Sequence, residues 1–314
     1  MINIVGPAYQ YQGEQLASPK IIVVQDHHYN EQQQCFPIKM LLESSQCDPT
    51  HHVVILDHVL QHDDELQDYQ LINFPSFLAR ENTEFIQQKI QPDWNNKTAT
   101  FNFMINKPRP HRIYLLQMIK EFGLNNYCYS LAWQSNSVNN IATTDYRFGS
   151  EVVMQQGVRN GNYRNAQTYQ GLLQKTVFEP ACVSLITEPA YYERETIITE
   201  KTLMAMWAGT IPVWVGGWRI ADYLKQVGFD TFDDIIDHSY QSLSDPVDRA
   251  RQAVERNLHV LTNFEKTKQF VQQNQSRLQH NLLLLESNFF KQECLRIIDR
   301  HLGDMRGTLE QMIG

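Results

Sequence analysis

Short apolar runs closed by polar residues alternate with amphipathic stretches along most of this chain. "IIVVQD" (21–26) has the form of a buried parallel strand, and "HHVVILDHV" (51–59) repeats it. "YQLINFPSFL" (69–78) holds a third strand, interrupted by Pro75. "FPIKMLLES", between the first two, has helical spacing. So does "NTEFIQQKIQ" (82–91), with Asn82 or Thr83 as its cap. The alternation predicts a small α/β domain over residues 1–95.

"QPDWNNKTAT" (91–100) is polar and aperiodic, which reads as a linker. "FNFMIN" (101–106) then opens a second α/β series. "HRIYLLQMIKEFGL" (111–124) is an amphipathic helix ending near Gly123, and "CYSLAW" (128–133) is a strand. Residues 134–164 are rich in Asn, Gln, Ser and Gly and read as a long loop; "NAQTYQGLLQKT" reads as a helix. "ACVSLITE" (181–188) is a strand. "ITEKTLMAMWAGTIPVWVGG" (198–217) gives a helix followed by a strand expected in the middle of the sheet, and "RIADYLKQVG" (219–228) a further helix. This second domain is placed at 96–243. From Ser244 to about Gly303 the pattern is helical, with Ser244 as a cap and Pro246 in the first turn. Residues 244–314 are therefore expected to form helices that pack back onto the body.

A chain of 314 residues with 42% apolar positions can bury a substantial core, and its net charge is -8. That balance excludes a protein built to grip nucleic-acid phosphate, which needs a basic surface. Five cysteines are dispersed without a CxxC pair, the usage of reduced thiols in a cytoplasmic protein. The start "MINIVGPAYQYQGEQ" lacks a signal-peptide pattern, and no run reaches the roughly 20 apolar residues of a membrane span. The tail "NFFKQECLRIIDRHLGDMRG" interleaves acidic and basic residues. That favours a helix packed on the body over one resting on lipid, so membrane contact is peripheral at most.

The chemistry concentrates at residues 187–217. A helix starting at the C-terminal end of a parallel strand offers free N–H groups and a positive dipole end to an anion. Thr199 suits the N-cap. Lys201 puts a full positive charge in the first turn, where the dipole opposes it, and a bound diphosphate would account for that. Glu200 can accept two hydrogen bonds from a vicinal diol such as that of a ribose. Thr187 and Glu188 end the preceding strand and point into the same crevice. Gly216 and Gly217 let a ligand approach the backbone at the end of the next strand. Arg112 opens the helix after "FNFMIN", with Arg109 and His111 beside it. A guanidinium is permanently charged and forks onto phosphate. An exposed first turn with ordinary charges is the plain alternative.

"CVSLITEP", "ITEKTLMAMWAGTIPVWVGG", "YLKQVGFDTFDDIIDHSY" and "FNFMINKPRPHRIYLLQMI" together resemble the nucleotide-binding half of fucosyltransferase-like glycosyltransferases, over about residues 100–240. The resemblance implies a GT-B fold, with two Rossmann-like domains facing a cleft and C-terminal helices crossing back. It implies an enzyme that moves a sugar, GDP-fucose being the prototype donor, to a hydroxyl of an oligosaccharide or glycoconjugate acceptor. Arg112 and Lys201 would then bind the diphosphate from opposite walls. Glu200 would hold the ribose and Glu188 would line the sugar pocket. The family pattern often has an aromatic residue before the Thr-Glu-Lys group. Ile197 and Ile198 stand there in this chain, which leaves a xylosyl or rhamnosyl donor open.

Transfer from a nucleotide sugar requires stabilising the departing diphosphate and deprotonating the acceptor. Arg112, Lys201 and helix N–H groups can serve the first need without a metal or other cofactor. The base is expected across the cleft. Asp26, closing "IIVVQD", comes first, with His27 and His28 as neighbours, and Asp57 is the alternative. His58 and His62 are four apart but lie in a β-run without an HExxH pattern, so no metal site is expected. A nucleotide- or glycan-binding module without a base is the non-enzymatic alternative.

Overall fold

The computed structural model describes residues 2–5, 21–24, 53–56, 59–61, 68–88, 91–105, 110–124, 127–131, 150–152, 174–188, 196–301 and 306–313. Strands β1 (Ile2–Val5), β2 (Ile21–Val24) and β3 (Val53–Leu56) come first, then β4 (Val59–Gln61) and β5 (Gln70–Asn73). Helix α1 (Ser76–Gln88) precedes β6 (Ala99–Ile105), α2 (Pro110–Glu121), β7 (Tyr127–Leu131) and β8 (Ser150–Val152). After a π-helical turn at Gln174–Phe178 come β9 (Ala181–Ile186), β10 (Thr196–Ile197), α3 (Glu200–Trp207), β11 (Ile211–Trp214) and α4 (Ile220–Gln226). The chain closes on α5 (Pro246–Glu255), α6 (Leu258–Leu261), α7 (Phe264–Gln273), α8 (Gln275–Glu286), α9 (Phe289–His301) and α10 (Arg306–Ile313).

The fold is α/β and contains two parallel sheets. One runs β1-β2-β3-β5, every neighbour parallel. The other runs β11-β9-β6-β7-β8, again parallel throughout. In the second sheet the chain starts in the middle at β6, moves outward to β8, then returns to the other side of β6 for β9 and β11. That is a doubly wound order, and its strand sequence reverses between β6 and β9. β4 and β10 form a separate antiparallel ladder, pairing Gln61 with Thr196 and Val59 with Ile197.

Alternation along the strands explains why helices cover both faces of the second sheet. Phe101, Phe103, Val183, Leu185 and Val213 join a cluster with Leu115, Leu116 and Val254 of α2 and α5. Met104, Ile186 and Trp214 face the other way, into a cluster with α3, α4 and the C-terminal helices. α1 packs against α9, α10, α3 and α8. The apolar residues of the tail, Phe290, Cys294 and Ile298, are buried in that cluster.

Four local expectations are corrected. The strand "IPVW" is outermost rather than central among the described strands of its sheet. Pro212, which has no N–H to give, lies on it in register with Ser184. Asn82 does not cap α1, which begins at Ser76. Asn82 is buried within it, donating to the Leu285 carbonyl at 2.8 Å and accepting from Trp207 Nε1 at 3.0 Å. The cap of α5 is Asp245, whose carboxylate takes the Asp248 N–H, and Ser244 lies one residue too early. Residues 91–98 are irregular, as a linker would be, but they are packed down. Lys97 is 1% exposed, and a Cβ on Gly209 would come within 2.0 Å of Trp94 Nε1. β8 (Ser150–Val152) lies within the stretch 134–164 read as a long loop, whose other residues lie outside the described residues, as do the predicted helix at 36–44 and most of the predicted helix at 165–176.

Candidate functional site

The C-terminal ends of β6 and β9 lie side by side where the strand order reverses, the place at which open α/β sheets gather ligands. Thr187, one residue past β9, ties the two ends together. Its hydroxyl donates to the Met104 carbonyl of β6 at 3.3 Å. Its own carbonyl accepts from an Nη of Arg112 at 3.2 Å. Arg112 is in the first turn of α2 and is 3% exposed, so its guanidinium is held inside the protein rather than out in solvent.

Glu188 follows Thr187 and turns toward α3. Its Oε1 accepts from the Thr199 N–H at 3.0 Å and from the Thr202 hydroxyl at 2.6 Å, and its Oε2 accepts from the Thr199 hydroxyl at 2.5 Å. The Thr202 oxygen in turn accepts from Trp214 Nε1 at 2.9 Å. An indole N–H can only donate, and so can an ammonium; Lys201 Nζ is 3.2 Å from the Thr199 oxygen. The hydroxyl protons are thereby left for the carboxylate. Burial pushes the Glu188 carboxyl above the usual carboxylate range, against the Lys201 charge and the threonine hydrogen bonds, which act to lower it. The positive end of α3 is also where a carboxylate is favoured.

Thr199 occupies the N-cap position of α3, yet its side chain makes no cap hydrogen bond; its hydroxyl donates to Glu188 instead. Lys201 Nζ lies 2.6 Å from Glu200 Oε1, with side chains 10% and 28% exposed. Burial alone would raise the Glu200 carboxyl; the Lys201 charge and hydrogen bond bring it below its ordinary value. Arg112 and Lys201 thus stand at the two ends of one chain of contacts, running through Thr187, Glu188 and Thr199.

The glycines at the end of β11 have reasons of their own. Gly216 adopts φ 86, which side-chain-bearing residues rarely do, and its carbonyl accepts from Arg249 Nε at 3.1 Å. A Cβ on Gly217 would fall 2.3 Å from Ile220 Cδ1. Arg109, Asp26 and Asp57 lie outside the described residues, and so do His27, His28, His58 and His62. Among the described residues no group of His, Cys, Asp or Glu is arranged to hold a metal ion.

Thr202 and Trp214 complete the buried network, and sequence reasoning missed both. The available signal was the three-residue spacing of Thr199 and Thr202, which puts both hydroxyls on one side of the first helical turn. A separate hollow of about 620 Å³ lies beside α4, lined in part by Lys225, Asp233, Asp234 and Asp237. Its carboxylates are already engaged: Asp233 with Lys225, Asp234 with Arg277, Asp237 with Ser239. Comparison of the chain with protein-family models, curated proteins and solved structures returns no match.

Proposed function

We propose that this chain is an inverting, metal-independent glycosyltransferase of GT-B type, taking a sugar from a nucleotide-diphosphate donor to a glycan hydroxyl. The observation that carries the reading is the junction of Arg112 and Lys201 through Thr187, Glu188 and Thr199, at the point where the strand order reverses. Two cations held there can receive the charge that develops on a departing diphosphate. The two parallel sheets, and C-terminal helices that return to α1, agree with a two-domain transferase. GDP-fucose is the leading donor, with xylosyl and rhamnosyl donors as the nearest alternatives. The cytoplasmic location expected from the cysteine usage belongs to the same proposal. No helix among the described residues is long and apolar enough to cross a membrane.

The acceptor base is Asp26 or Asp57. Asp26 comes first, because ligands gather at the C-terminal ends of parallel strands, and Asp57 is the alternative.

Calorimetry with GDP-fucose, UDP-xylose and dTDP-rhamnose tests the reading. One of them is expected to bind, and Arg112→Ala to weaken it by about 100-fold, the scale of losing a charge-assisted phosphate contact. If the chain binds none of the three nucleotide sugars, nor GDP or UDP, the assignment fails.

A further inference from the structure

The hollow beside α4 is walled by a loop that other elements hold from outside. Asn281 accepts from the Asp230 N–H at 2.8 Å and donates to the Asp230 carbonyl at 2.8 Å. Asn257 accepts from the Asp237 N–H at 2.9 Å, and His259 Nε2 lies 2.8 Å from the Ile235 carbonyl. Arg277 pairs with Asp230 and Asp234 and stands 4.7 Å over the Phe232 ring. Phe232 has φ 59, a strained value for a bulky residue. The wall is therefore fixed in advance, and a ligand does not have to order it. The volume of about 620 Å³ is that of a small-molecule site.

Four aspartates line the hollow, Asp222, Asp233, Asp234 and Asp237, and each has an arginine or lysine at ion-pair distance. They do not call for a further cation, and an anion would face all four. The unmet groups are neutral. Gln241 lines the hollow and is 3% exposed. Its Oε1 accepts from the Ala221 N–H at 3.0 Å, which fixes the way the amide points. Its Nε2 is buried without a hydrogen-bond partner. Burial raises the nearby Tyr240 phenol and the Gln241 amide pulls it back, yet that hydroxyl has no hydrogen-bond partner either. His238 Nε2 lies 2.8 Å from the Thr231 carbonyl, which can only accept, so Nε2 carries the ring proton. Burial holds the His238 pKa below its ordinary value. Nδ1 is thus a bare acceptor, buried and without a partner.

A ligand that satisfies this hollow must accept from Gln241 and donate to His238, beside carboxylates with lone pairs still open. An ammonium only donates, and a phosphate dianion only accepts. A hydroxyl does both, and a sugar ring carries several without charge. We infer that the hollow is a carbohydrate site, holding the hydroxyl edge of one neutral sugar ring between Gln241, His238 and the rim aspartates. A free monosaccharide and a sugar unit of a longer glycan offer the same chemistry. The site involves neither Arg112 nor Lys201, and nothing in it depends on nucleotide binding.

Saturation-transfer NMR on the full chain tests this. The probes are the methyl glycosides of glucose, galactose, mannose, fucose and N-acetylglucosamine, with lactose, maltose and chitobiose, and with spermidine and inorganic phosphate alongside. At least one of the sugars is expected to bind. A methyl glycoside that binds as tightly as its disaccharide assigns the site to free sugar, and a tighter disaccharide assigns it to a glycan. Gln241→Glu keeps an oxygen for the Ala221 N–H and loses the amide donor, so binding should weaken by about tenfold. Ser242→Trp puts a large ring at the exposed rim and should abolish binding. Affinity unchanged in either variant means that the sugar sits elsewhere, and overturns the inference. So does a wild-type chain that binds none of the sugars, or one whose hollow takes spermidine or phosphate in their place. The experiment needs no nucleotide, so its failure leaves the transferase reading untouched.

Discussion

Helix α3 has a buried lysine at each end, and the fold treats the two in opposite ways. At its C-terminus, Lys97 reaches in from the segment before β6 and donates to the carbonyls of Ala208 at 3.0 Å and Glu179 at 2.9 Å. The helix dipole welcomes a cation there, and both acceptors are fixed backbone. At its N-terminus, Lys201 sits where the dipole opposes it, and its charged partner is the side chain next door. A cation satisfied by rigid carbonyls in a favourable field is a structural part. A cation placed against the field and held by a side chain that can swing away is poised for something else. Both lysines are buried, so the direction of the helix field and the nature of the partner are what separate the two positions.

The largest expected effect tests the structural end. Burial pushes the Lys97 ammonium down to about 8 from an ordinary 10.5. The folded chain therefore releases this proton first. Between pH 8 and 10.5 the unfolded chain binds more protons, so stability contributed by this residue rises with pH and levels off above that window. A depression of this size corresponds to about 3 kcal/mol at most. The neutral amine keeps two N–H donors, so neither carbonyl is abandoned when it forms. Denaturant melts of wild type and Lys97→Met should diverge across this window, the variant falling further behind as pH rises. Parallel curves would show that Lys97 titrates as an exposed lysine does.

A smaller effect is expected on the network that holds the other end in place. Thr202→Val removes a hydroxyl lying between the Glu188 carboxylate and the Trp214 indole, both buried. Leaving those groups short of a partner should cost about 2 kcal/mol, while Thr202→Ser should recover most of it. Equal losses in the two variants would mean that the methyl group matters and the hydroxyl does not.

The two ends also differ in how far the sequence reveals them. Arg112, Glu188 and the Thr-Glu-Lys group stand out as candidates because they come after the apolar runs of β6 and β9, and ligand chemistry gathers at the ends of such strands. Lys97 is not legible. It sits in "QPDWNNKTAT", a polar aperiodic stretch, and its two acceptors lie 82 and 111 residues further along. Asn82 misleads for the same reason: its partners, Trp207 and Leu285, are distant in sequence, so a polar residue before an apolar run passes for a cap. The outer position of β11 is readable from Pro212, since a strand lacking an N–H suits an edge. The glycines after β11 suggest a ligand by their place in the pattern; in space Gly216 also sits in a left-handed turn, and Ile220 lies against Gly217. Local pattern thus gives elements and their chemistry, while long-range satisfaction of buried polar groups has to be seen in space.

The smallest expected change in stability separates the two ends most sharply. Lys201→Met removes a charge from the unfavourable end of the helix dipole, which by itself is stabilising. It leaves Glu200 without that cation, but the carboxylate is 28% exposed and stands at the end of the helix that favours it. It also takes one donor from the Thr199 oxygen, which still donates to Glu188. These effects oppose one another, and their sum should stay within about 1 kcal/mol of zero, the range of partly exposed ion pairs. Nucleotide binding should meanwhile fall by about tenfold or more. The decisive measurement sets the melting of Lys201→Met beside that of Lys97→Met at about pH 9.5, inside the window where the Lys97 variant falls behind wild type. If the two variants lose stability equally, Lys201 is as structural as Lys97, and the distinction between fixed and displaceable partners falls with it.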